Sequence, residues 1–249
     1  MVLRHSDWGE ADRLIWLFTK ESGKLRAIAK GVRKPRSRKA GHLEPFTHVR
    51  LLLAAGRDIP IITQAEAQEV FSALKEDLIR VGYASYVIEL LDRFTYEEGE
   101  NAPLFDLLVH TLSRIDIEEE SAFAVRYYEV RLLDLVGFRP RLFRCANCGK
   151  DIQPEDQFFS PELGGLLCPA CGRALTGTRF ISMPAVHLLR HIQRSSYAEA
   201  KRLKLIPAVD REVEQLMQAY FTYLLERSLN TPAFLRQVRR NSTMHNDPA

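Results

Sequence analysis

Along the first seventy or so residues the apolar positions come in short runs, and none repeats at a helical interval. Leu14-Ile15-Trp16-Leu17-Phe18-Thr19 has the β-branched and aromatic content of a strand, and Gly23 marks the turn after it. Leu25-Arg26-Ala27-Ile28-Ala29-Lys30 alternates as a half-buried strand does. A polar loop broken by Pro35 follows, and Phe46–Leu53 and Ile59–Thr63 add further strands on either side of Gly56. Four or five short strands of this kind predict a small barrel over residues 1–71, for which an OB-fold is the first choice.

From about residue 73 the period becomes helical. Leu74, Leu78, Val81 and Ser85 fall at helical intervals, and Tyr86–Leu91 continues them. Asn101-Ala102-Pro103 reads as a cap with proline in the first turn, opening a helix that carries Leu104, Leu107, Leu108 and Leu112 inward. The next helix spans about Ser121 to Val136, with Val125, Tyr128, Leu132 and Leu135 on one stripe and Gly137 as its stop. Near the end, Val213, Leu216, Met217, Tyr220, Phe221, Leu224 and Leu225 form the clearest amphipathic series, and Thr231-Pro232 opens a last short helix. The expected organisation is α+β and multidomain. It comprises a barrel (1–71), a helical domain (72–142), a cysteine module (143–176), closing helices that complete the helical domain (177–240) and a frayed tail (241–249).

The cysteine module changes this picture most. Cys145-Ala-Asn-Cys148 and Cys168-Pro-Ala-Cys171 are two C-x-x-C knuckles separated by nineteen residues, a spacing expected of a four-cysteine zinc site. They use every cysteine in the chain. Unrelated core thiols rarely form two evenly built knuckles, and a redox motif expects a βαβ setting that is absent from the pattern. Gly149 and Gly172 follow the second cysteine of each knuckle, where a turn often needs positive φ. Four sulfur ligands leave no open position, so one structural Zn²⁺ per chain is expected, substituting for the core that the Phe158–Leu167 hairpin is too small to build.

A net charge of +3 in 249 residues is only mildly basic, but its distribution is uneven. Lys20, Lys24, Arg26, Lys30, Arg33, Lys34, Arg36, Arg38 and Lys39 face a single acid, Glu21, over one twenty-residue stretch. On a small barrel that pattern suits a nucleic-acid backbone, against the plainer reading of a solvated loop. Trp16, Phe18 and Phe46 have the chemistry to stack on bases, although aromatics on short barrel strands more often serve the core. Acidic runs at Glu97, Glu98 and Glu100 and at Asp116 and Glu118–Glu120 flank helix ends, as solvated charge does. His187 and His191 lack the glutamate of H-E-x-x-H, since Leu188 follows His187, and read as a helix-surface pair. No Walker loop, G-x-S-x-G or G-x-G-x-x-G is present, and nothing recommends an enzyme. No apolar run approaches the ~18 residues of a membrane span, the N-terminus lacks a secretory h-region, and reduced cysteines suit the cytoplasm.

In this order of parts the chain resembles the RecO family of bacterial recombination-repair mediators. The resemblance is carried by Gly9–Leu14, Gly23–Arg33, Leu43-Glu44-Pro45-Phe46, Tyr86–Leu91, Leu132–Phe138, and Phe159-Ser160-Pro161 before Gly164–Cys168. It implies an OB-fold that binds single- and double-stranded DNA and anneals complementary strands. It also implies association with RecR and with the acidic tail of single-stranded DNA-binding protein, and help in loading RecA onto coated DNA. Carried onto this chain, the DNA surface comprises Lys24, Arg26, Lys30, Arg33, Lys34, Arg36, Arg38 and Lys39. Arg126, Arg131, Arg139 and Arg141 are candidates for the partner's tail. Similar proteins have a few more residues before the first Val-Leu, so the first strand is expected to be short or the start codon set too late, and a clipped strand would leave a barrel edge unpaired. A zinc-ribbon protein of RNA or transcription and a protein-binding scaffold remain as alternatives. The first would be separated by competition between RNA and single-stranded DNA.

Overall fold

The computed structural model describes residues 1–95, 99 and 101–244, with side chains as far as Asn241. The acidic positions Glu97, Glu98 and Glu100 and residues 245–249 of the expected tail lie outside the described residues. The chain divides into two compact units, Met1–Glu119 and Glu120–Ala249.

The first unit is built on β1 (Val2–Trp8), β2 (Asp12–Thr19), β3 (Gly23–Ala29), β4 (His48–Ala54) and β5 (Ile61–Glu69). Their order is β1-β2-β3-β5-β4, antiparallel throughout except for the parallel β3–β5 contact at Ile28 and Ile61. The ring closes where the Val2 N–H donates to the Thr47 carbonyl (2.9 Å) and the Phe46 N–H donates to the Val2 carbonyl (3.0 Å). This closed five-stranded arrangement is an OB-fold barrel. β1 is seven residues long and is paired on both sides at Val2, so the unpaired edge anticipated for a clipped first strand is not found there. Ile15 and Leu17 join Val2, Ala27, Ala29, Val32, Leu43, Val49 and Ile62 in the barrel core, while Leu14, Trp16 and Phe18 take the other face of β2, where Leu14 and Phe18 are buried as well and Trp16 is half-buried.

Three helices complete this unit: α1 (Ser72–Glu76), α2 (Leu78–Phe94) and α3 (Ala102–Ile117). The single helical stripe expected through Leu74 and Leu78 is in fact broken. Asp77 is extended (φ −117°, ψ 120°), and its carboxylate accepts from the N–H groups of Ile79 and Arg80, capping a new helix. Leu74 is buried while Leu78 is 66% exposed. At α3 the Asn101 side chain accepts from the Leu104 N–H, with Pro103 in the first turn. Leu104, Leu108 and Leu112 are buried, and Leu107 is half-buried.

The second unit begins with α4 (Ser121–Leu135), which Gly137 ends at φ 85°. Leu135, expected on its inner stripe, is 46% exposed; Val130 and Leu133 are buried instead. β6 (Gln157–Ser160), β7 (Gly165–Leu167) and β8 (Arg179–Ile181) form a small sheet in the order β7-β6-β8, with α5 (Pro169–Ala174) beside it. α6 (Met183–Arg194), α7 (Tyr197–Ala200), α8 (Pro207–Leu225) and α9 (Thr231–Met244) follow. Val213, Leu216, Met217, Tyr220 and Phe221 of α8 are buried, and Leu224 and Leu225 are half-buried. α9 continues through Met244, so the first residues of the expected frayed tail are helical.

Candidate nucleic-acid interface and metal centre

The cations of the barrel fall into two groups. The loop after β3 starts at Gly31, whose φ of 65° suits glycine and whose N–H donates to the Asp12 carboxylate at 2.7 Å. Turns then close from the Lys34 N–H to the Gly31 carbonyl and from the Ser37 N–H to the Lys34 carbonyl. This folding leaves Lys34, Arg36 and Arg38 exposed, and Arg26 and Lys30 on and just beyond β3 are exposed as well. None of these five forms an ion pair among the described residues. Five exposed positive charges on one small module repel one another and favour an incoming polyanion.

The other three candidates are engaged with the framework. Lys24 is half-buried, with Nζ donating to the Asp92 carbonyl at 2.6 Å and to its carboxylate at 3.1 Å. Lys39 donates to the Ile62 carbonyl at 2.9 Å. Arg33 pairs with Asp7 at 3.2 Å and reaches the Glu10 carbonyl. Glu44 clamps the same end of the barrel, accepting from Arg13 at 2.9 Å and lying 3.3 Å from His5. Burial resists ionisation of Glu44, but the hydrogen bonds and charges of Arg13 and His5 outweigh it and hold the carboxyl below its usual range.

Of the aromatics, Phe18 is buried and packs on Phe105 of α3 with ring centroids 6.4 Å apart. Trp16 is different: it is half-buried, and the Arg4 guanidinium lies over its ring, Cζ 3.7 Å from the centroid. Arg4 is exposed and was not among the expected site residues. Only the strand register brings it to Trp16, across the β1–β2 hairpin.

In the second unit the four cysteines converge. One sulfur from each of Cys145, Cys148, Cys168 and Cys171 lies within 4.8 Å of all the others, and Cys148 and Cys168 are 3.9 Å apart. A tetrahedral ion with sulfur at about 2.3 Å separates its ligands by roughly 3.8 Å, so the donor set fits a four-coordinate metal. The two knuckles are built differently. Gly149 sits at φ 75° and its N–H donates to the Cys145 carbonyl, as a turn requires. Gly172 lies within α5 without positive φ; there a Cβ would come within 2.4 Å of Phe158. Close packing, and not backbone conformation, is what requires glycine at that position. Around Cys145, burial opposes ionisation but backbone N–H groups of Cys148, Cys168 and Asn147 outweigh it and lower the thiol. The cysteines are the one metal-competent cluster among the described residues. His187 and His191 stack on the outer side of α6, with His191 against the Glu199 carbonyl.

The candidate partner arginines do not form one surface. Arg126 is withdrawn from it by burial: it is 1% exposed, 2.6 Å from Glu129, 3.2 Å from Asp210 and 3.8 Å from Glu214. Arg131 and Arg139 share Asp134 at 3.3 and 3.4 Å. Exposed Arg141 donates to the Leu163 carbonyl at 2.7 Å.

Comparison with known proteins places these features in a family. Residues 1–71 match the family model described as "Recombination protein O N terminal", and residues 75–233 match "Recombination protein O C terminal". The chain belongs to the RecO family of DNA repair proteins. It is similar to the DNA repair protein RecO of Roseiflexus sp. (strain RS-1), 41% identical over 240 residues that cover 96% of this chain and 84% of that one. The DNA repair protein RecO of Desulforudis audaxviator (strain MP104C) is 39% identical over 244 residues, covering 98% and 97%. That of Dehalococcoides mccartyi (strain ATCC BAA-2266 / KCTC 15142 / 195) is 34% identical over 240 residues, covering 96% and 94%. No helix among the described residues is long and apolar enough to cross a membrane.

Proposed function

We propose that this family member is a non-enzymatic recombination mediator that binds single- and double-stranded DNA through its barrel and anneals complementary strands. The observation that carries the reading is the set of five cations, Arg26, Lys30, Lys34, Arg36 and Arg38, exposed on one OB-fold module and without an ion pair among the described residues. Two DNA strands repel each other, and a surface that neutralises phosphates and releases their counterions lowers that barrier. Backbone contacts leave base edges free to pair, as annealing requires. Arg33, and with smaller reach Lys24 and Lys39, supply the charge behind this surface.

The four cysteines hold one structural Zn²⁺, whose closed sulfur shell supports the small β6–β8 sheet and takes no part in chemistry. The protein acts with RecR and with the acidic tail of single-stranded DNA-binding protein to load RecA onto coated DNA in the cytoplasm, at the nucleoid. Arg131, Arg139 and Arg141 are the partner-facing cations that remain once Arg126 is set aside. Equilibrium binding to labelled single-stranded DNA, duplex and RNA of equal length, across a salt series, tests the reading. Expected are DNA binding without strong sequence preference and a log–log salt slope corresponding to roughly five to eight phosphates. A marked preference for RNA, or no DNA binding at moderate salt, contradicts it.

A further inference from the structure

On the outside of the barrel, the strand register aligns three side chains that are far apart in the chain. Arg4 pairs with Trp16 across β1–β2, and Trp16 pairs with Arg26 across β2–β3. Directly opposed residues share a face of a sheet, so the three form one row. Ile15 and Leu17, either side of Trp16, point into the core. Both arginines are exposed, and neither has a carboxylate partner among the described residues. The exposed Arg4 guanidinium lies over the indole with Cζ 3.7 Å from the ring centroid, a separation that fits face-to-face stacking.

We propose that Arg4, seated on Trp16 and flanked by Arg26, is a platform on which an unpaired nucleobase of single-stranded DNA stacks. The inference rests on the DNA-binding reading and adds a contact to bases that phosphate binding alone does not supply. Bases splayed from a single strand stack on aromatic rings and on arginine planes alike. Exposed Arg26 and Lys30 give the adjoining phosphates a cationic border. A base held by its flat face keeps its pairing edge open to a complementary strand. Bases inside a duplex are already stacked on their neighbours, so this platform distinguishes single strands from duplex.

The test compares full-chain binding to an oligothymidylate and to an abasic deoxyribose-phosphate strand of the same length and charge. The wild-type protein should favour the thymidylate by about tenfold or more, the scale of one stacked base. Arg4→Lys conserves the charge of an exposed residue but removes the planar group. It should abolish that preference while leaving abasic-strand affinity and salt slope unchanged. Trp16→Leu, with the fold checked by circular dichroism, should do the same by unseating Arg4. The proposal is overturned if the wild-type protein binds both strands equally, or if Arg4→Lys retains the preference; phosphate binding then stands without it. If neither strand binds, the DNA reading falls along with the platform.

Discussion

Arg126 and Glu129 form an ion pair one helical turn apart on α4, 2.6 Å between charged atoms, with both side chains at most 1% exposed. Asp210 and Glu214 of α8 close the cluster from the other side, and Arg239 of α9 pairs with Glu214 at 2.9 Å. Arg126 and Arg239 thus meet the carboxylates of Glu129, Asp210 and Glu214, and burial raises the Asp210 carboxyl against the opposing pull of Arg126. Removing Arg126 would take away the cation that faces both buried Glu129 and Asp210.

Arg126→Ala should therefore destabilise the protein by about 3–5 kcal/mol. Chemical denaturation followed by far-ultraviolet circular dichroism measures this. A loss under about 1 kcal/mol would mean that the cluster is not the electrostatic centre of the helical core.

Lys24 and Lys34 carry the same charge yet should behave differently. Replacing Lys34, Arg36 and Arg38 together with glutamine should lower the log–log salt slope for single-stranded DNA by about 2, at ~0.7 per phosphate contact, without loss of stability. Lys24→Gln instead breaks the contacts to Asp92 and should lower the melting temperature while leaving the slope close to wild type. Calorimetry and binding titrations on the two variants separate these outcomes. A salt slope that drops on Lys24→Gln alone would move the interface to the other end of β3.

Glu44 makes stability depend on pH in a defined direction. Its folded carboxyl titrates below the ordinary value of 4.5, so the unfolded chain binds that proton more readily than the folded one. The stabilisation is present above pH 4.5 and is lost as pH falls through the lower folded value. With the side chain 44% exposed, solvent screening keeps it under about 1 kcal/mol. Wild type should exceed Glu44→Gln in stability near neutral pH, and the difference should vanish under acid conditions. A difference that widens with acid would reverse the assignment.

Elemental analysis should find about one zinc per chain, and Cys148→Ser, at an exposed ligand, should lower that content and the thermal stability of the second unit. Phosphate binding by the barrel should survive the change. Metal-free protein that melts where the wild type does would dismiss a structural role.

The features readable in the sequence were local ones. The strand composition of β2, the alternation in β3, the Asn101 cap and the two knuckles each follow from residues close together in the chain, and all appear in the structure. What escaped depends on partners far along the chain. Lys24 and Lys34 look alike until Asp92, 68 residues from Lys24, claims one of them. Arg126 reads as a surface cation on α4 because its acids at 210 and 214 lie on another helix. Leu78 fits the helical period, but Asp77 caps a new helix and turns it to solvent. Arg4 carried no signal by itself. The signal available was the pairing of two strands around the Gly9 turn, which, followed residue by residue, sets Arg4 against Trp16.

The central claim is that exposed barrel cations let two like-charged strands approach, and the rate of pairing between complementary oligonucleotides measures it most directly. Wild-type protein should speed pairing well above the spontaneous rate at low salt, the gain should fade as salt rises, and Lys34→Glu, Arg36→Glu and Arg38→Glu together should abolish it with the fold intact. Unaided and protein-assisted rates that coincide, or a triple variant as fast as wild type, would contradict the account.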